Sequence, residues 1–256
     1  MQADFGPTAD DYARHRAGFP DSLFDRLAAR GIGLSGQTVI DLGTGVGSLA
    51  RGFARRGCRV TGIDPSEPML ARAAELDAEA GLRVEYQVGC AEATDLPAGS
   101  ADVAAAGQCW HWFDRPRAVA EIARILRPDG RLVIAHFDWL PIPGGPVEAT
   151  EELIARHNPA WDLDGGSGLH PAWLMDLAAA GWREIESFSY DVAVAYTHSG
   201  WRGRIRASAG VGASLPPSGV AAFDDELARV LARRFPSEPL HLPHRVFAVC
   251  ARPPAQ

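Results

Sequence analysis

The residues best suited to chemistry lie in one short run, Asp41-Leu42-Gly43-Thr44-Gly45-Val46-Gly47. Glycines let a backbone turn tightly and come close to a ligand. A second acid, Asp64, closes the next apolar run about 20 residues on, where a carboxylate can accept hydrogen bonds from ribose hydroxyls. Together they describe a nucleotide entrance. A tight turn can also collect glycines for structural reasons alone. The ordered strand, turn, helix, strand and acid favour the ligand.

The spacing narrows the nucleotide. Dinucleotide binding prefers G-x-G-x-x-G. Here the third glycine comes one position early, and Ser48 stands where that fingerprint places glycine. Asp41 also precedes the glycines. A carboxylate would repel a pyrophosphate and attract an ammonium group. The pattern favours a ligand with adenosine at one end and an amino acid at the other.

The surrounding elements must position these groups. Thr38 to Leu42 and Arg59 to Ile63 read as buried strands, with a helix from Ser48 to Arg56 between them. A helix from Ser66 to Ala80 follows, with Ser66 as N-cap. Arg83 to Val88 and Asp102 to Ala106 are strand candidates, the latter weak on propensity. Val119, Ile122, Ala123 and Leu126 share a helix face, and Pro128-Asp129-Gly130 ends that helix as a turn. Arg131 to Phe137 reads as a central strand. Such alternation predicts a parallel sheet covered on both faces. Farther on, Pro141 to Pro146 is a loop, Pro171 to Ala180 a helix, and Ile185 to Tyr196 and Arg245 to Ala251 strands. One insert carries a helix with Phe223, Leu227, Val230 and Leu231 on one face. Asp224, Asp225 and Glu226 are expected in its first turn and Arg233 and Arg234 in its last. The expectation is one domain over residues 1–256. Its cofactor core covers about 35–137, and inserts at about 138–168 and 197–242 form a cap.

With these residues in hand, a family resemblance is plain. Asp41 to Gly47 resembles the first motif of class I S-adenosylmethionine-dependent methyltransferases. Asp64-Pro65-Ser66 with Met69-Leu70 resembles their ribose-binding segment. Gly89-Cys90-Ala91-Glu92-Ala93 with Leu96-Pro97 resembles the adenine-contacting segment, where Glu92 would accept from the adenine amino group. Ile125 to Gly130 resembles the helix-to-strand turn L-[KR]-P-G-G, with Asp129 replacing the first glycine. These motifs cover about residues 37–137. At the N-terminus, Tyr12-Ala13-Arg14-His15-Arg16 with Phe19-Pro20 is similar to the lead of small-molecule methyltransferases of the trans-aconitate and ubiquinone-pathway type, with Phe19 departing from the usual tyrosine. The resemblance implies a Rossmann-like, doubly wound, seven-stranded, mostly parallel sheet. It implies S-adenosylmethionine as methyl donor and S-adenosylhomocysteine as product. The cofactor residues it carries over are Tyr12, Arg16, Asp41, Gly43, Thr44, Gly45, Gly47, Asp64, Pro65, Met69, Ala91, Glu92, Gln108 and Trp112.

The segment Gly107-Gln108-Cys109-Trp110-His111-Trp112-Phe113-Asp114 borders the acceptor in that family. His111 is the candidate base, because histidine titrates near neutral pH; the alternative is packing with no proton moved. Trp110 is an expected acceptor wall. Cys109 follows Gln108, not the proline typical of a cytosine-methylating nucleophile. Arg202, Arg204 and Arg206 form a basic cluster that could attract an anionic acceptor, or could pair with acids on a solvated face. His241 and His244 flank Pro243 with no third ligand, so they read as loop residues and no metal is expected.

Composition excludes other classes. The net charge of -7 argues against a nucleic-acid binder. All 25 basic residues are arginine, which reads as coding bias in a high-GC, bacterial genome. The four widely spaced cysteines suggest neither a zinc site nor disulfides. Without a secretory signal or an apolar span, a cytoplasmic protein with no membrane partner is expected. Two rivals stay open. One is a protein that binds S-adenosylmethionine without transferring methyl, as a scaffold or non-methylating cyclase. The other is a nicotinamide-dependent oxidoreductase, which the early third glycine disfavours.

Overall fold

The computed structural model describes residues 17–161 and 166–255. Tyr12 and Arg16 lie outside that range. The chain runs α1 (Asp21–Ala28), β1 (Thr38–Leu42), α2 (Ser48–Ala54), β2 (Arg59–Asp64), α3 (Glu67–Glu79), β3 (Glu85–Val88) and β4 (Ala101–Gly107). A short 3-10 turn (Trp110–Trp112) leads to α4 (Arg115–Ile125) and β5 (Leu126–Trp139). Then come α5 (Pro146–His157), α6 (Ala172–Ala179), β6 (Arg183–Tyr196), α7 (His198–Arg206), α8 (Pro217–Arg234) and β7 (Leu240–Arg252).

The strands form one seven-stranded sheet in the order β3-β2-β1-β4-β5-β7-β6. The pairs β1–β2, β1–β4, β2–β3 and β4–β5 are all parallel. This is the expected Rossmann-like architecture. β4 is built from Ala-Asp-Val-Ala-Ala-Ala-Gly and has little intrinsic strand preference. It holds as a strand because both its edges pair with neighbours, so tertiary context overrides propensity.

Local departures from the sequence reading have physical causes. The turn at Pro128-Asp129-Gly130 lies inside β5. Ala101 pairs with Leu126 and Val103 with Arg131, so the intervening residues bulge out of the ladder. α4 opens at Asp114, whose side chain accepts from the Arg117 N–H, with Pro116 in the first turn. Ser66 precedes α3 with extended backbone but makes no side-chain cap. α8 begins seven residues before Asp224, at Pro217, so Asp224, Asp225 and Glu226 sit mid-helix instead of in the first turn. Arg233 and Arg234 do fall in its last turn. His241 and His244 belong to β7, and His244 is buried with Nδ1 3.0 Å from the Leu242 carbonyl.

The chain divides into two compact units. The larger comprises Gly18–His136, His170–Ser189 and 247–255. Its core gathers Leu42, Ile63, Trp110, Ile122, Leu132 and Trp173 with their neighbours. α1 packs on α2 through Phe24 and Phe53, edge to face at 5.2 Å. The smaller unit comprises, among the described residues, Ala17, 137–161, 166–169 and Tyr190–Val246. It has its own core of Leu153, Trp201, Ile205, Phe223, Leu227 and Leu231. The Trp201 indole N–H donates to the Thr150 hydroxyl at 3.0 Å there. All described residues of the inserts at 138–168 and 197–242 belong to this unit. Among the described residues, no helix is long and apolar enough to cross a membrane.

Candidate functional site

The strand order reverses at β1, which pairs with β2 on one side and β4 on the other. In open parallel sheets the crevice at the carboxyl ends of such strands is where ligands bind. β1 delivers the glycine turn there. Gly43, Gly45 and Gly47 have φ of +62°, +54° and +76°, all left-handed. A Cβ on Gly43 would lie 2.9 Å from the Cys109 Sγ, and one on Gly47 would lie 2.3 Å from the Tyr86 hydroxyl. Those two glycines are demanded by packing. At Gly45 a Cβ would meet only the Met69 methyl, at 3.5 Å. That side of the turn is open to a close-approaching ligand.

Two carboxylates hold the turn. The Gly45 N–H donates to Asp64 Oδ2 at 2.8 Å, and the Ser66 N–H donates to Oδ1 at 2.9 Å. Burial raises the Asp64 pKa above its ordinary value, against the pull of these two bonds. Each carboxylate oxygen can accept a further bond, so ribose hydroxyls remain within its capacity. Asp41 is buried, with 1% of its surface exposed. Its Oδ2 accepts from the Thr44 hydroxyl at 2.6 Å and from the Ala50 N–H at 3.1 Å, in the first turn of α2. Its Oδ1 is buried and accepts no hydrogen bond. Burial pushes the Asp41 pKa up to about 7, although the bonds from Thr44 and Ala50 lower it. An orphaned buried carboxylate oxygen is costly until a proton or a cation satisfies it. The ammonium of an amino-acid moiety has the required charge, so the donor set fits the expected ligand.

The other expected residues take several positions. Met69 is buried beneath Gly45, and Ala91 is buried in the core of the larger unit. Pro65 is exposed. Glu92 Oε1 accepts the Asp114 N–H at 2.8 Å, tying the adenine-type segment to the start of α4. Gln108 follows β4 with φ +63°, and its N–H donates to the Ala135 carbonyl at 2.9 Å. A left-handed non-glycine residue is uncommon and clusters at functional sites.

On the side expected for the acceptor, His111 and Trp112 are exposed, their rings 4.5 Å apart. The His111 ring also lies edge-on to His136 at 5.4 Å. Beyond it His136 meets His170 at 4.6 Å, and His170 stacks on Trp173 at 4.1 Å. Trp110 does not form an acceptor wall. It is 0% exposed, and its indole N–H donates to Asp176 at 3.4 Å. Cys109 is buried, its Sγ donating to the Leu42 carbonyl at 3.1 Å, so it clasps the ends of β4 and β1.

The arginine cluster belongs to the smaller unit and does not line one side. α7 is helical, so Arg202 and Arg206 share one face and Arg204 takes another. Arg202 and Arg206 both bind Asp224, the latter at 3.0 Å. Burial raises the Asp224 pKa, but these bonds outweigh it and hold the carboxyl below its ordinary value. Arg204 is 8% exposed and lies 4.6 Å over the Trp139 ring.

Sequence reasoning missed three residues behind the turn: Arg51, Asp77 and Tyr86. Asp77 offered one signal. It falls four residues after Ala73 on the buried face of α3, where a charged residue needs a partner.

Comparison with known proteins agrees with this geometry. The methyltransferase domain family matches residues 40–134. An uncharacterized methyltransferase of Mycobacterium tuberculosis is 37% identical over 70% of this chain and 77% of its own length. A ubiquinone biosynthesis O-methyltransferase of Xanthomonas oryzae is 29% identical over 72% of this chain and 75% of its own. A solved structure from Anaeromyxobacter dehalogenans, described as a candidate type II methyltransferase, is 25% identical. It superposes with a TM-score of 0.65 over 94% of this chain and 99% of that one.

Proposed function

We propose that this chain, which belongs to the class I S-adenosylmethionine-dependent methyltransferases, methylates a small organic acceptor at oxygen, nitrogen or carbon. S-Adenosylmethionine supplies a methyl carbon already activated by its bond to a sulfonium sulfur. Bound at the glycine turn, it would give up that methyl to the acceptor's lone pair and leave as S-adenosylhomocysteine.

The residues divide that task. Asp41 holds the ammonium group, Gly45 and its neighbours let the backbone approach, and Asp64 accepts from the ribose. Glu92, Gln108 and Trp112 border the adenine and the reacting end. His111 takes the proton when the acceptor must lose one, which requires that it lie within hydrogen-bond reach of that proton. The acidic net charge and the ubiquinone-pathway relative favour a small metabolite over nucleic acid.

The observation that carries this reading is the buried Asp41 oxygen with no hydrogen-bond donor beside the glycine turn. Its test is product formation. Incubation with S-adenosylmethionine and a panel of small hydroxylated, amino and carboxylic metabolites should release S-adenosylhomocysteine with one acceptor class. Binding of S-adenosylmethionine with no S-adenosylhomocysteine from any acceptor would favour a non-transferring protein instead.

A further inference from the structure

We propose that Arg51, Asp77 and Tyr86 are positioning residues that set the affinity for S-adenosylmethionine by fixing the peptide between Val46 and Gly47. The proposal rests on the reading that the glycine turn binds that molecule.

The three side chains form one connected group in the larger unit, with Asp77 buried and Arg51 and Tyr86 partly buried. Arg51 Nη2 donates to the Val46 carbonyl at 2.6 Å. Arg51 Nη1 donates to Asp77 Oδ1 at 2.9 Å and to the Ala73 carbonyl at 3.4 Å. The Tyr86 hydroxyl donates to Asp77 Oδ2 at 2.8 Å. The ion pair is nearly dry, with 12% of the Arg51 side chain and 5% of the Asp77 side chain exposed.

The group acts on the turn from two directions. The peptide bond is planar, so holding the Val46 carbonyl also fixes the Gly47 N–H. That N–H donates to the Thr44 carbonyl at 2.9 Å. The same peptide is therefore anchored at both its polar atoms. The Tyr86 hydroxyl meanwhile fills the space a side chain on Gly47 would need, and its ring edge fills that of a side chain on Gly62. The glycine turn, α2, α3 and β3 are joined through one carboxylate.

Stability alone is a poor reason for this arrangement. A buried ion pair is often no more stabilising than apolar residues of the same volume. A guanidinium that forks between a helix carboxylate and a turn carbonyl supplies geometry that apolar packing does not.

The experiment is calorimetric titration of S-adenosylmethionine and S-adenosylhomocysteine into the wild type and Tyr86→Phe, with thermal melts of each. Tyr86→Phe removes one hydroxyl and keeps the ring. Affinity for both ligands should fall about tenfold, the size of one hydrogen bond to a charged group. The melting point without ligand should stay within a few degrees of wild type. Arg51→Lys keeps the charge but cannot fork, so it should weaken both ligands in the same direction. Wild-type affinity in both variants would overturn the proposal, even with a lowered melting point, because the group would then be structural only. A wild type that binds neither ligand would overturn the reading beneath it.

Discussion

Asp41 carries the sharpest residue-scale consequence. Burial lifts its pKa from 3.8 to about 7. A carboxyl raised on folding contributes stability that is complete below its unfolded pKa and lost as pH rises through the folded value. The ligand-free protein should thus lose the Asp41 contribution progressively between about pH 4 and pH 7. Ligand binding runs the other way, because only the ionised carboxylate attracts an ammonium group. The rise in melting point produced by saturating S-adenosylmethionine should be larger at about pH 8 than at about pH 6. Asp41→Asn should abolish that difference, as melts at both pH values would show. His111 makes a separate claim. With an acceptor that yields product, His111→Gln should slow turnover at saturating S-adenosylmethionine by at least about tenfold, the lower range of base catalysis being higher still. An unchanged rate would remove the base.

At the scale of elements, the caps and turns show what a sequence can announce. Asp114 opens α4 through its bond to the Arg117 N–H. Asp114→Ala should cost about 1 kcal/mol of stability, a drop of about 2–4 °C for a chain of this size. Affinity for S-adenosylmethionine should hold, since the Asp114 backbone N–H that reaches Glu92 is untouched. From β1 to β5 the strands and helices were legible where local pattern and tertiary role agree; β4 was weak because its small residues prefer no strand until both its edges pair. The glycine turn, Asp41 and Asp64 were legible because their chemistry is local in sequence. Trp110 was misplaced because exposure cannot be read from an alternation of aromatic residues around a histidine. Of the Arg51, Asp77 and Tyr86 group only the position of Asp77 on the buried face of α3 was a signal, because its members meet only after α2, α3 and β3 have packed. α5 and α7 were not anticipated; α7 carries Gly200 and Gly203, which lower its intrinsic helix preference, yet it forms an unbroken helix.

At the scale of the whole molecule, the described residues proposed for the cofactor and the arginine cluster fall in different compact units. Arg202 and Arg206 converge on Asp224, joining α7 to α8 inside the smaller unit. Replacing both arginines with alanine leaves a half-buried carboxylate without those partners. It should destabilise the protein by about 1–3 kcal/mol, read from denaturant unfolding, while S-adenosylmethionine affinity stays within about twofold. A tenfold loss of affinity would show that the two units are coupled. Everything proposed for this chain depends on whether the Asp41 to Gly47 turn binds S-adenosylmethionine. Calorimetric titration of the wild-type chain with S-adenosylmethionine, and separately with a nicotinamide dinucleotide, tests it most directly. Saturable one-to-one binding of S-adenosylmethionine is expected, weakened at least about tenfold by Asp64→Ala, with no binding of the dinucleotide. Saturable dinucleotide binding with none of S-adenosylmethionine would contradict it.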